Sequence, residues 1–382
     1  MMKIFFPNCF LLLLVLLHIE TSATRIRTLI CKKMRLYNSA APLSEIITPQ
    51  KPKWAGGGPV SDLVNFLISL KPVFSLMKLG ARRVLISTAE KNNIPWTSTA
   101  VNLAAKNDIL VSHYNSLFDP EIQYPDYYTK DFHAYDDGNL NWEAAYECES
   151  ATMAMALRVW PTEALTAVQA QTRLRQSFLS AVKSYMGTDA AERGFPRRIA
   201  DVGCSVGVST SYIAKAFPSA EVLDGIDLSP HFLAVAKLRQ PELAMQEGLS
   251  SPAVRWIHTN MERSGLPTGQ YDLTCVCFVF HELPQEASRN IIAELYRVAN
   301  SGGVVAITDN NPMSAVIQNL PPALFTLMKA TEPWSDQYYV FDLEAALRDV
   351  GFVDVRTVET DPRHRTVLAR KPATDAHTYN SN

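Results

Sequence analysis

Neither sign of charge dominates this chain. The 36 Lys and Arg against 38 Asp and Glu in 382 residues leave a formal net charge of -2. No global basic field is available to hold a phosphate backbone, so no nucleic acid partner is expected. Cysteine is scarce. The six residues Cys9, Cys31, Cys148, Cys204, Cys275 and Cys277 follow no disulfide framework. Cys275 and Cys277 share one face of the apolar run YDLTCVCFVF, and with Cys204 they read as buried free thiols, the state of a reducing compartment. There is no repeat at a solenoid period. His258 ends a strand without convincing ligand partners, and no metal is expected. The Gly-Lys-Ser/Thr ending of a phosphate loop is also missing, which argues against ATP or GTP held in that way.

What is present begins with an address. MMKIFFPNCFLLLLVLLHIETSAT has an early Lys3, an apolar run to about Ile19, then the small residues Ser22 and Ala23. This is the layout of a signal peptide, and the run is short for a membrane span. The basic, acid-free RIRTLICKKMRLYNSAA that follows resembles a transit-type sequence. Together they suggest a plastid reached through the secretory route, or another organelle. A translation start at Met34 removes the apolar run and leaves a cytoplasmic protein. Residues 1–45 are therefore set outside the fold as targeting or disordered sequence.

Residues 46–190 read as a mainly helical extension. Leu63, Phe66, Leu67 and Leu70, continued by Val73, Leu76 and Met77, form a helical stripe. Two accounts of it stand: a layer packed on the main domain, or an amphipathic surface contacting a membrane. Residues 119–150 crowd Tyr124, Tyr127, Tyr128, Phe132, His133, Tyr135 and Trp142 around turn formers. Aromatic rings with polar tips suit a pocket lid, or a cap that only packs. Helices are expected from Trp142 to about Pro161 and from about Thr162 to Met186.

From Arg197 the period changes. RIADVG, AEVLDGID, AVRWIHTN, YDLTCVCFVF, GGVVAITD, GFVDVRTV and RTVLARK alternate with helical stretches near 209–216, 231–238, 285–299, 314–330 and 341–350. Such alternation argues for an α/β fold with a mostly parallel sheet covered on both faces. Residues 191–372 form this domain, and 373–382 a loose tail. In IADVGCSVGVST, Gly203 permits a tight turn out of the first strand, and Gly207 allows close approach ahead of a helix starting near Ser209. A dinucleotide turn must admit pyrophosphate, whereas this one carries Ser205, Val206 and Val208, with Asp201 adding negative charge. That suits a ligand with positive charge and no phosphate. Asp227, at the end of the second strand, is placed to accept hydrogen bonds from ribose hydroxyls.

With these features in order, residues 197–371 resemble a class I S-adenosylmethionine-dependent methyltransferase domain of the small-molecule branch. YYTKDFHAYDDGNLNW and the stretch from Thr308 to Glu344 further resemble an uncharacterised plant and algal group of that class. The resemblance implies a Rossmann-like seven-stranded sheet, parallel except for its last strand, and S-adenosyl-L-methionine as cofactor. It implies that Asp201, Gly203, Cys204, Ser205 and Gly207 receive the amino-acid part and Asp227 the ribose. Leu228 and Met261 would pack on the adenine, and Asn260 would approach its amino group. Asn260 stands where an acid is common. FVFHELP, with Phe280, would line the methyl-transfer side.

Methyl transfer from a sulfonium is an in-line displacement that depends on alignment. His281 and Glu282 are the candidates for a base or an orienting pair, and His133 is a further candidate. The plain alternative is that His281 caps a helix. Tyr127, Tyr128, Tyr135, Trp142, Asn310, Trp334 and Tyr338 are candidate acceptor contacts, with Asp309, Asn311 and Tyr339 beside them at the sheet's carboxyl edge. A small-molecule acceptor is expected, with no obligate protein partner. The competing readings are an RNA or protein methyltransferase and a non-catalytic binding protein or scaffold.

Overall fold

The alternating runs build one seven-stranded sheet of order β3-β2-β1-β4-β5-β7-β6. The computed structural model describes residues 82–130, 135, 137–187, 190, 194–247, 254–320, 328 and 332–373. The signal-like and transit-like segments, the stripe from Leu63 to Met77, Phe132, His133 and the tail after 373 lie outside the described residues.

The strands are β1 (Arg198–Val202), β2 (Val222–Asp227), β3 (Val254–His258), β4 (Tyr271–Cys277), β5 (Ala299–Asn310), β6 (Val353–Glu359) and β7 (His364–Arg370). Pairings from β3 across to β5 are parallel, and β7 runs antiparallel to both β5 and β6. The order reverses between β1 and β4, and at such a switch point open α/β sheets bind ligands. β4 is buried at every position. Both of its faces are covered, as in a central strand of an α/β sheet. Cys204, Cys275 and Cys277 are free and buried, as expected.

Ahead of the sheet come α1 (82–91), α2 (Trp96–Ala104), α3 (Asn107–Leu117), α4 (Trp142–Leu157) and α5 (Ala167–Met186). The last begins at Ala167 instead of near Thr162, because Thr166 and Gln169 close a capping box there: the Gln169 N–H donates to Thr166 Oγ1 at 3.2 Å and the Thr166 N–H to Gln169 Oε1 at 2.9 Å. Phe178, Leu179, Val182 and Tyr185 then line one face and join the sheet core with Ile199, Leu223 and Leu273, while Leu174 packs with Val159 and Trp160. Full burial of each such side chain stabilises by about 1.5–3 kcal/mol. Asn141 caps α4 by accepting the Ala144 N–H at 2.8 Å.

Within the sheet domain lie α6 (Val208–Ala216), α7 (Pro230–Glu247), a 3-10 turn (Phe280–Glu282), α8 (Gln285–Val298), α9 (Ala315–Gln318), α10 (Ser335–Tyr338) and α11 (Leu343–Asp349). The helix expected over 314–330 is thus a short one that stops at Asn319, with 321–327 outside the described residues. Packing of the extension falls on the loop side of the sheet. Leu110 of α3 and Ala144 and Ala145 of α4 share a core with Val206, Val208, Phe232 and Val235. No helix among the described residues is long and apolar enough to cross a membrane.

Candidate active site

The turn after β1 is held by backbone geometry. Gly203, Ser205 and Gly207 take φ of 70°, 51° and 79°. A Cβ on Gly203 would lie 2.4 Å from Val279 Cγ2, so the first glycine is required by both conformation and space. Ser205, the residue standing where a middle glycine might be expected, sits in the left-handed region, which costs a non-glycine residue about 1–2 kcal/mol. Its N–H donates to Asp227 Oδ2 at 2.8 Å, and its hydroxyl lies 3.1 Å from Cys148 Sγ on α4. Those contacts over-determine the strained conformation.

Two buried carboxylates flank this turn. Asp201 Oδ2 accepts from Ser209 Oγ at 2.6 Å and Thr210 Oγ1 at 2.7 Å, both on the first turn of α6. Its Oδ1 is buried without a hydrogen-bond partner. Asp227 accepts the Ser205 and Ser229 N–H groups, each at 2.8 Å. Burial pushes both acids up to about 6, against the hydrogen bonds that oppose it. Neither has a Lys or Arg at ion-pair distance among the described residues, although the nearby Arg175 guanidinium, after the Ser209 and Thr210 hydrogen bonds, also opposes the effect of burial on Asp201. A buried acid without a cation suits a ligand that brings positive charge. The charged donor set, the cramped Gly203 and the orphaned Asp201 oxygen together fit S-adenosylmethionine, which carries a sulfonium and an ammonium.

Around the adenine side, Leu228 is half-buried and Met261 buried in the core. Asn260 Oδ1 accepts the Glu262 N–H at 2.9 Å in a local turn. Cys204 and Phe280 are buried, the latter completely, so each backs the site from within the core. Sequence reading passed over Gly225. It sits in β2 opposite Asp201, and a Cβ there would meet the Trp256 ring at 2.4 Å. A lone glycine inside VLDGID was the available signal. The same ring limits Gly207, and its Nε1 donates to Gln240 Oε1 at 2.9 Å.

The aromatic segment splits into two groups. Tyr124, Tyr127 and Tyr128 pack near the carboxyl ends of β2 and β3. His258 fastens this stretch: its Nδ1 accepts the Asp119 N–H at 3.1 Å, which leaves Nε2 to face Leu228 O and Tyr124 Oη, each at 3.1 Å. Burial pulls His258 below its ordinary value, consistent with a neutral ring in this network. Tyr127 Oη donates to Glu262 Oε1 at 2.8 Å. Burial, and then the charges of Asp227 and Glu282, push Tyr128 well up, which places its phenol within reach of both acids' fields. Lys130, next along this segment, has its Nζ 5.0 Å from the Trp334 ring. Tyr135 and Trp142 belong elsewhere. Tyr135 Oη donates to Glu147 Oε2 at 2.5 Å, and Trp142 packs edge-on against His231 at 4.8 Å, inside the layer between α3, α4 and α7.

On the methyl-transfer side, His281 Nδ1 lies 2.8 Å from Asp309 Oδ1, and the His281 N–H donates to Asp309 Oδ2 at 3.1 Å. Burial alone lowers the imidazole, but Asp309, Glu332 and Glu282 more than reverse this and push it up to about 10. A histidine carrying its proton at neutral pH orients or donates; it does not remove a proton. Glu282 Oε1 lies 3.9 Å from His281 Nε2. Tyr338 is buried, with its hydroxyl donating to Asn310 O, so it supports Asn310 from behind.

Comparison with known proteins agrees with this geometry. Residues 199–303 match the family model described as a methyltransferase domain. The match runs from β1 into β5, the part of the sheet that carries the acid-flanked glycine turn. The chain is 29% identical over 161 residues to an uncharacterised methyltransferase of Synechocystis, covering 42% of this chain and 68% of that protein. It is 31% identical over 140 residues to the trans-aconitate 2-methyltransferase of Methylobacterium radiotolerans, covering 37% of this chain and 46% of that protein. Among solved structures, phosphoethanolamine N-methyltransferase 2 of Haemonchus contortus with S-adenosyl-L-methionine aligns at a TM-score of 0.37 and 16% identity, covering 51% of this chain and 56% of the other. The chain thus spans about two thirds of the first relative and under half of the second.

Proposed function

We propose that the chain transfers a methyl group from S-adenosyl-L-methionine to a small-molecule acceptor. The observation that carries this reading is Asp227: a buried carboxylate without a cation, at the end of β2, hydrogen-bonded to the backbone of the glycine turn. Its remaining lone pairs serve the ribose hydroxyls, and the turn from Gly203 to Gly207 receives the amino-acid end. S-adenosylmethionine bound there supplies a methyl group on a sulfonium for in-line displacement.

The chain's own part is alignment and exclusion of water. Tyr128 and Tyr127 close the cofactor side, while Lys130 and Trp334 close the acceptor side from two separate segments. Protonated His281, fixed by Asp309, orients the acceptor or donates to it. Glu282, beside it, is the remaining group able to take a proton from an acceptor that needs to lose one. A closure assembled from two segments favours a compact acceptor over RNA or a protein chain, and the Methylobacterium relative is named for such a compound. Incubation with methyl-labelled cofactor and a metabolite extract tests this by mass spectrometry. Label in small molecules supports the reading, and label confined to RNA or protein contradicts it.

A further inference from the structure

The stretch from Phe118 to Lys130 crosses the ends of β2 and β3 with no helix or strand of its own. Its hold on the sheet domain is narrow. Among the described residues, its polar fastenings are two bonds to the His258 ring, one from Tyr127 to Glu262, and the contact of Lys130 with Trp334. His258 is buried at the end of β3, beside Asp227 in the sheet register, with the Phe118 ring stacked at 5.8 Å. A segment with few buried contacts and one buried anchor opens more readily than the sheet beneath it.

That anchor depends on a single lone pair. The Asp119 backbone N–H donates to His258 Nδ1 at 3.1 Å, so Nδ1 carries no proton and the Nε2 N–H faces Leu228 O and Tyr124 Oη. A proton added at Nδ1 points at the Asp119 N–H, donor against donor, and the bond is lost. If the Asp119 carboxylate takes that proton instead, the backbone N–H must still leave Nδ1, so the segment shifts either way. Burial pulls His258 below its ordinary 6.5, against the Leu228 carbonyl and the Asp119 charge. The bond to Asp119 is therefore complete above 6.5 and lost as pH falls through the lowered value.

The other titratable groups around the ring are Tyr124 on the segment, Asp227 on β2 and His231 on α7, with Tyr114 of α3 against His231 at 4.9 Å. His231, pulled down to about 4 by burial and then by the His258 charge, stays neutral above pH 5. Asp227, pushed up to about 6 by burial, titrates in the same range, but its carboxylate is turned to the Ser205 and Ser229 N–H groups.

Resting on the methyl-transfer reading, which places the adenine beside Leu228, Asn260 and Met261, we infer that residues 118–130 form a latch over the adenine end of the cofactor site, held by neutral His258 and released when Nδ1 takes a proton. Release speeds entry and exit of the cofactor and its product together, and leaves the affinity to Asp201 and Asp227. His258 acts through the segment, as a positioning residue.

The test is amide hydrogen exchange of the full chain without cofactor, read by mass spectrometry from pH 7.5 to pH 5 and corrected for intrinsic exchange. Peptides over 118–130 should lose protection about tenfold, the loss of one hydrogen bond, while peptides over α8 keep theirs. In His258→Asn, whose amide oxygen can still accept the Asp119 N–H but does not titrate, that loss should vanish. In the wild type, nitrogen NMR of the ring should show the Nε2–H form at pH 7.5 and the doubly protonated form where protection is lost. Equal protection of the wild-type segment at both pH values, an equal loss in His258→Asn, or a loss without protonation of the ring overturns the inference. Calorimetry with S-adenosylhomocysteine at pH 7.5 reads the methyltransferase assignment separately. Absence of binding sinks that assignment, whereas binding to a chain whose segment ignores pH sinks the latch alone.

Discussion

The two halves of the sheet's carboxyl edge hold their buried acids differently. At the β1–β2 end, Asp201 and Asp227 are buried acids with no Lys or Arg in an ion pair with them among the described residues, pushed up to about 6 by burial. At the β5–β7 end, Asp309 lies against His281 and Asp361 against His364. The difference teaches what each half is for. Acids left without an ion pair can meet a cationic ligand, whereas acids paired with histidines hold those rings in place.

The first way to break this contrast is at the turn itself. Gly203→Val forces a branched side chain into positive φ and into Val279, so cofactor binding by calorimetry should weaken at least about a hundredfold, the scale of strain and clash together. Binding within a few-fold of wild type would remove the geometric argument for the loop. The second way is titration. A carboxyl whose folded value is raised contributes stability that is fully present below its unfolded value and lost as pH rises through about 6. The ionised form is the one that attracts a cation. Cofactor affinity should therefore rise about tenfold between pH 5 and pH 7, and Asp227→Asn should flatten that rise to the part due to Asp201. A pH-independent affinity in the wild type contradicts the assignment.

His281 sharpens the contrast from the other side. As a histidine raised to about 10, it contributes stability that is present below its unfolded value near 6.5 and lost only as pH rises through about 10. Activity should show no descending limb below pH 7 from loss of a histidine base. His281→Asn should lower kcat about tenfold, an orienting effect, while cofactor affinity stays within about twofold. Cys148→Ser is the mildest change. The hydroxyl keeps the contact with Ser205, so both cofactor affinity and melting temperature should hold, within the few tenths of a kcal/mol of a conservative change. A loss of affinity as large as that of Gly203→Val would make the thiol, not the turn, the critical group.

What was legible in the sequence follows the range of the interactions. β1, β2, β4 and β5 announce themselves as largely buried runs, and the turn glycines and Asp227 lie within one β-turn-α unit or its neighbour, where spacing carries the information. The start of α5 depends on one local box, Thr166 with Gln169, and lies at Ala167 instead of near Thr162 accordingly. Tyr128 was legible as an aromatic but not as a neighbour of Asp227, since a turn-rich segment gives no period to say where it docks. His258 was set aside for want of ligands. Its partners Asp119 and Tyr124 come from far upstream, and its role is to clasp the aromatic segment.

The most direct test of the account is a calorimetric titration of S-adenosyl-L-methionine into the full chain at pH 7.5, repeated with Asp227→Ala. One equivalent should bind the wild type, and the variant should bind at least about tenfold more weakly, the loss of one or more charge-assisted hydrogen bonds. No heat with the wild type, or unchanged affinity in the variant, contradicts it.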